Sequence, residues 1–225
     1  MFTQATFDFL QDLRDHNDKS WFDANKARYE TVAKGPLSDF VRAMGPAIRS
    51  ISGHYLADDR SAFRIHRDTR FSKDKSPYKT HLAAQFRHEA VRGPLSETVH
   101  APGFYCHISP EGLGEMDGCF GGFGTWRPEG PALAAIRARI VSHPDDWAAA
   151  RDTVSLGGES LKRVPAGFDA EHRFADDLRR KDYIGSITFE PAEVMGASFV
   201  DRFADACRKA APLNRFLCNA VGLPW

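Results

Sequence analysis

The chain has 225 residues, 42% of them apolar and 27% charged, and its 30 Lys and Arg balance its 30 Asp and Glu. That length can bury a sizeable core, and that balance argues against a protein coated in positive charge for nucleic acid or anionic membrane, so any basic site must be local. No apolar run approaches the roughly 18 residues of a membrane span, and the opening MFTQATFDFLQDLRD breaks its apolar positions with acids, unlike a signal peptide. Cys106, Cys119, Cys207 and Cys218 are widely spaced and form no C-x-x-C, so they read as reduced thiols. The expectation is one globular domain over 1–225, cytoplasmic and without membrane association.

In chain order, Phe7, Leu10 and Leu13 fall at helical spacing and predict a helix over 3–16. Ser20-Trp21-Phe22-Asp23 has the form of a capping box and predicts a second helix through about Val32. Pro36 suits the first turn of a third, which carries Leu37, Phe40, Val41, Met44, Ile48 and Ile51 and ends near Gly53, with Gly45-Pro46 expected to kink or divide it. From Ala62 the period changes to two. Phe63 and Ile65 alternate with Arg64 and His66, Leu82 to His88 is a short apolar run, and Phe104, Cys106 and Ile108 alternate with Tyr105 and His107, all reading as strands. Gly112 to Gly124 suits a further twisted or bulged strand around Met116, Cys119, Phe120 and Phe123. Helical spacing returns at Leu133, Ile136 and Ile140, and Pro144 marks another helix start. Loop with short extended pieces over 155–168, a short helix over 175–180, a strand over 183–189 and two helices, 196–209 and 212–220, complete the chain. Helices, then strands, then helices again predict an α+β fold: an antiparallel or mixed central sheet covered by N-terminal and C-terminal helices.

The densest chemical signal lies between strands. Arg64, Arg67, Arg70, Lys73, Lys75 and Lys79 face only Asp68 and Asp74, a local excess of four positive charges in a neutral chain. Such a density is expected to exceed what the segment can pair internally. Guanidinium forks match phosphate and carboxylate oxygens, lysines add mobile charge, and Thr69, Ser72 and Ser76 offer hydroxyls. Phe71 and Tyr78 interleave with the cations and Ser76-Pro77 marks a turn, so the segment reads as a shaped loop. Its bland alternative is a solvated face, or pairing with acids elsewhere such as Asp58, Asp59, Asp176 or Asp177.

WFDANKARYE, RDTRFSKDKSPYKTH, GFYCHISPEG and PAGFDAEHRFADDLRRKDY, in that order along most of the chain, resemble a conserved uncharacterised family, domain of unknown function 2461. The resemblance supports treating the chain as one domain. It brings no reaction, no cofactor and no catalytic residue.

Other constellations are weaker. His66, His81, His88, His100 and His107 with Asp68 could supply nitrogen and oxygen ligands, His66 and Asp68 sharing one face of a strand, but their spacings match no closed zinc pattern, so no metal site is assigned. Cys106 and His107 are strand neighbours on opposite faces. That makes Cys106 a core residue and leaves His107 beside Tyr105, facing the basic loop if the sheet order allows. The glycines near 118–124 lack a phosphate-loop pattern and read as strand packing. Leu178 to Tyr183 reads as a charged helix end.

The leading expectation is a protein, with or without catalysis, that binds a phosphorylated or carboxylated small molecule. Arg64, Arg67, Arg70, Ser72, Lys73, Lys75, Tyr78 and Lys79 are its ligand-binding residues, and His66, Tyr105 and His107 its candidates for proton transfer. A nucleic-acid-binding module with Phe71 and Tyr78 as stacking platforms is the second reading, and a structural or interaction protein with internally paired cations the third. Cofactor and oligomeric state are not encoded legibly.

Overall fold

The computed structural model describes residues 1–70, 72–92, 101–110 and 118–225. The chain opens with α1 (Gln4–Asp15), α2 (Lys19–Ala24), α3 (Lys26–Tyr29), a π-helical turn (Glu30–Lys34) and α4 (Gly35–Ile51). In α1, Thr6, Phe9, Leu10 and Leu13 form the buried stripe, and in α4 Leu37, Phe40, Val41, Met44 and Ile48 do so. Asp18, not Ser20, caps α2: its carboxylate accepts the Trp21 N–H at 2.9 Å and the Ser20 hydroxyl at 2.5 Å. A nearby carboxylate outcompetes the hydroxyl for the cap. Pro46 sits inside α4 without dividing it, since the buried stripe on both sides of the proline holds the helix together.

The strands are β1 (Tyr55–Leu56), β2 (Leu82–His88), β3 (Gly103–Ile108), β4 (Cys119–Thr125), β5 (Ser155–Gly157) and β6 (Tyr183–Phe189), in the sheet order β1-β2-β3-β4-β6-β5. Every pairing is antiparallel, with no parallel pair among the described strands. The fold is thus α+β with helices on a sheet. Of the strand expected over Gly112–Gly124, the part over 118–124 is described and contains most of β4; 112–117 lies outside the described residues, as do Phe71 and His100. The segment 62–66 is not a strand. It touches the sheet through one bridge, Ala62 with Ala84, and then turns away to pair His66 with Tyr78.

After β4 come α5 (Gly130–Ser142), α6 (Pro144–Arg151), α7 (Ala175–Leu178), α8 (Pro191–Met195) and α9 (Phe199–Ala220). The last is a single helix through Pro212 where two were expected. Phe199, Phe203, Cys207, Ala210, Leu213 and Leu217 line most of the length of its buried side, and that continuous burial outweighs the one hydrogen bond a proline deletes.

Period-two alternation sorts the sheet into two faces. Phe86, Phe104, Cys106 and Phe123 are fully buried on the face packed by helices, with α4 against β2 and α9 against β4. The opposite face carries Tyr105 and His107 on β3, in register with Gly122 and Phe120 on β4 and with Gln85 and Ala83 on β2. Gly122 leaves room there: a β-carbon would meet the Tyr105 ring at 3.5 Å. Gly124 answers a different need. Its φ of +116° and a Tyr183 carbonyl oxygen 2.0 Å from where a β-carbon would stand both exclude a side chain.

Candidate functional site

The basic segment is a two-limbed excursion from the sheet edge. Its limbs are tied by the Arg67 N–H to the Pro77 carbonyl and the Lys79 N–H to the Ile65 carbonyl, both at 2.8 Å. Ile65 and Tyr78 turn inward, and Tyr78 is core: only 4% exposed, its ring stacks on Phe22 with centroids 4.1 Å apart. Asn17 clamps it to the N-terminal helices by exchanging two hydrogen bonds of 3.0 Å with its backbone. Tyr78 therefore anchors the loop, and its buried ring, stacked on Phe22, leaves no open face for stacking a base.

The acids inside the segment take two of its cations. Arg67 pairs with Asp74 and donates to the Ser76 carbonyl at 3.2 Å, with the Ser72 hydroxyl at 3.5 Å, while Arg70 grips Asp68 through Nε and Nη2 at 3.0 and 2.7 Å. The Ser76 hydroxyl and N–H, with Arg67, hold the Asp74 carboxyl well below the usual carboxylate range; Arg70 lowers Asp68 likewise. Pairing within the segment was expected to be minor, and pairing with Asp58, Asp59, Asp176 or Asp177 was the alternative. Short sequence separation decides it, because a carboxylate two to seven residues away is already delivered by the turn.

Four cations remain. Arg64, Lys73, Lys75 and Lys79 form no ion pair with any described residue. Lys75 reaches the Thr69 carbonyl at 2.9 Å and Lys79 the Arg64 carbonyl at 3.0 Å, so both ammonium groups are positioned by neutral acceptors. Lys79 also lies 5.1 Å above the Phe63 ring. Partial burial and the neighbouring Arg64 guanidinium hold its pKa below the ordinary lysine value.

The limb leads directly to the sheet face opposite the helices. Phe63, 42% exposed, meets Tyr105 edge-on at 6.1 Å. Tyr105 and His107 share a face as alternation requires, the tyrosine hydroxyl and His107 Nδ1 forming a 2.9 Å hydrogen bond. The His107 ring stacks on Phe120 at 4.7 Å and lies 4.3 Å from the ring of His81. Burial pushes the Tyr105 phenol well above its ordinary range. Burial, then Lys79, then Arg67 push His81 down to about 4, so its imidazole is neutral at physiological pH.

His81 belongs to this constellation although the sequence reading did not place it there. A signal existed: His81 immediately precedes β2, and Ala83, two further on, pairs with His107. His66, by contrast, packs at 5.2 Å against Tyr78 and 6.0 Å from Phe22, apart from Tyr105 and His107. Asp68 is committed to Arg70, which removes the proposed His66 and Asp68 ligand pair. No group of three or more His, Cys, Asp or Glu suited to a metal occurs among the described residues. Cys106 is core, its thiol raised by burial. Arg180 lies just past the end of α7, as the charged-helix-end reading has it, and is paired there with buried Asp177. Two recesses of about 380 Å³ lie elsewhere, one beside Arg49 and Tyr55, the other between Thr188 and Arg202.

The depressed His81 makes a stability prediction. Its folded pKa of about 4 lies below the ordinary 6.5, so its contribution is complete above 6.5 and is lost as pH falls towards 4. The slope is about 1.4 kcal/mol per pH unit and the total at most about 3 kcal/mol. Urea denaturation at pH 7.0 and 4.5 should show a smaller loss in His81→Gln than in the unaltered chain; equal losses would refute the assignment.

No helix among the described residues is long and apolar enough to cross a membrane. No curated protein and no solved structure matches the chain. The profile of the conserved hypothetical protein family DUF2461 matches residues 5–216, spanning the helices, the sheet and the basic limb alike, and the chain belongs to that family.

Proposed function

We propose that this protein binds a small phosphorylated or carboxylated molecule where the basic limb meets the sheet face opposite the helices. One observation carries the reading: Lys79 is held on the Arg64 backbone carbonyl with the Arg64 guanidinium near enough to lower its pKa, neither has an ion-pair partner among the described residues, and both stand at the edge of the Phe63, Tyr105, His107 and His81 strip. Two like charges so placed repel, and an anion between them relieves that repulsion. Lys73 and Lys75 extend the same positive field, while Arg67 and Arg70 keep the limb in shape through Asp74 and Asp68. Tyr105 and His107 supply a hydrogen-bonded pair able to hold or pass a proton beside the bound anion. A nucleic-acid role is less well supported, since Tyr78 is buried. A cytoplasmic setting accords with four buried cysteines, none in a disulfide.

The test is thermal unfolding across sulfate, phosphate, sugar phosphates, carboxylates, mononucleotides and short single-stranded nucleic acids, at low and near-physiological salt. A ligand at about 100 times its Kd adds roughly 2.7 kcal/mol of stability. One class of small anion should raise the midpoint at both salt levels, and Lys79→Gln combined with Arg64→Gln should abolish the shift while leaving the unliganded midpoint nearly unchanged. A shift retained in that double variant, or seen with nucleic acid alone and vanishing with salt, would defeat the reading.

A further inference from the structure

We propose that His81 takes up a proton when a small oxyanion occupies the Arg64 and Lys79 site, so that anion binding and protonation of this imidazole are coupled. The inference rests on the anion-site reading above, and adds to it a residue and a pH response.

The geometry sets His81 apart from the other imidazole on this face. His107 is 1% exposed, with Nδ1 engaged by the Tyr105 hydroxyl and its ring covered by Phe120, whereas His81 is half-buried and keeps contact with solvent. Of the two imidazoles, His81 is therefore the one in contact with solvent and with a ligand at the basic limb. Among the described residues the groups facing it are Lys79 on its own segment, Arg67 on the opposite limb, and His107 beside it on β3 with Tyr105 one hydrogen bond further. Those able to carry positive charge outnumber acids, for Asp74 is already bound to Arg67 and no described carboxylate pairs with His81. The unliganded site accordingly disfavours imidazolium, and burial does so further. An oxyanion at Lys79 offsets the nearest positive charge and supplies an acceptor, and both effects favour the charged ring.

Linkage makes the coupling reciprocal: if the anion favours protonation, protonation tightens the anion by the same factor. Should the bound anion restore His81 to its ordinary 6.5 from about 4, affinity would rise on the order of 10- to 100-fold between pH 7.5 and 4.5. The one step is a proton transfer: a ring N–H bond forms as hydronium or the buffer acid gives up its proton, leaving water or the buffer base.

Sulfate is the probe, because it stays a dianion across this range and contributes no proton of its own. Isothermal titration at pH 5.5 in buffers of differing ionisation enthalpy counts protons taken up on binding, and the carbon-bound ring hydrogens of the histidines, followed by NMR from pH 4 to 8 with and without sulfate, report the midpoint of His81. The expected result is net uptake in the unaltered protein, an upward shift of the His81 midpoint with sulfate, and binding without that uptake in His81→Gln. Sulfate that binds with no proton uptake, or with the same uptake in His81→Gln, overturns the coupling and leaves the anion site standing. If His81→Gln does not fold, a His81 midpoint unmoved by saturating sulfate in the unaltered protein overturns it equally. Absence of sulfate binding at every pH removes the anion site, and the coupling with it.

Discussion

Replacing Asp177 with alanine is expected to lower the unfolding free energy by about 3 to 5 kcal/mol. Its carboxylate is 2% exposed and joins three elements. One oxygen accepts from Arg180 Nε at 2.9 Å; the other accepts from the Trp147 indole N–H at 2.9 Å and lies 3.1 Å from Arg151 Nε. The Tyr183 hydroxyl donates to its backbone carbonyl at 2.8 Å, and buried Arg137 donates to the Arg180 carbonyl at 2.9 Å. Truncation would strand the largely buried Arg180 guanidinium and the Trp147 indole N–H, while Arg151, 37% exposed, keeps water; the cost of an uncompensated buried charge exceeds whatever the pair contributed when intact. Asp177→Asn keeps an acceptor for Trp147 but not the charge, so it should lose less than the alanine variant and more than a surface substitution. Equilibrium urea unfolding decides it; a loss under about 1 kcal/mol for Asp177→Ala would show that the network is dispensable.

Phe203→Ala should cost about 3 to 5 kcal/mol by leaving a cavity where the helical layer meets the sheet. The ring is fully buried in α9, with Phe40 of α4 at 5.5 Å, Phe86 of β2 at 6.2 Å, Phe123 of β4 at 6.3 Å and Phe189 of β6 at 6.0 Å. Few backbones could close the gap, because four different elements would have to move together. Phe203→Leu, which keeps most of the apolar volume, should lose roughly half as much. Near-equal midpoints for the alanine and leucine variants would mean that the site relaxes and the cluster is not close-packed.

Much of the fold was legible because burial writes its period into the chain. The Leu82–His88 strand, the Phe104, Cys106 and Ile108 alternation, and the stripes of α1, α4 and α9 are local records of which side faces a core. The errors share a cause. Pro46 and Pro212 read as breaks because propensity is local, whereas the helices continue because distant surfaces bury them. Phe63 to His66 alternates like a strand, yet only Ala62 bridges to the sheet before the limb departs. α8 went unnoticed although Glu190-Pro191 and Glu193 announce it: the Glu190 N–H donates to the Glu193 carboxylate at 2.8 Å.

The candidate site divides in the same way. Sequence alone determined that this is an α+β chain with a concentrated basic segment, and that Tyr105 and His107 share a strand face, since composition and alternation depend only on neighbours. Tertiary structure decided that Tyr78 is an anchor and that His66 stands apart. It also decided that Arg67 and Arg70 are occupied by Asp74 and Asp68, and that His81 lies against His107 with Lys79 and Arg67 around it. Those outcomes depend on strand register, on a turn that brings acids back to their cations, and on residues 17 and 22 packing against residue 78. Charge compensation and ring contacts act across space over a few ångströms, and no spacing along the chain records them.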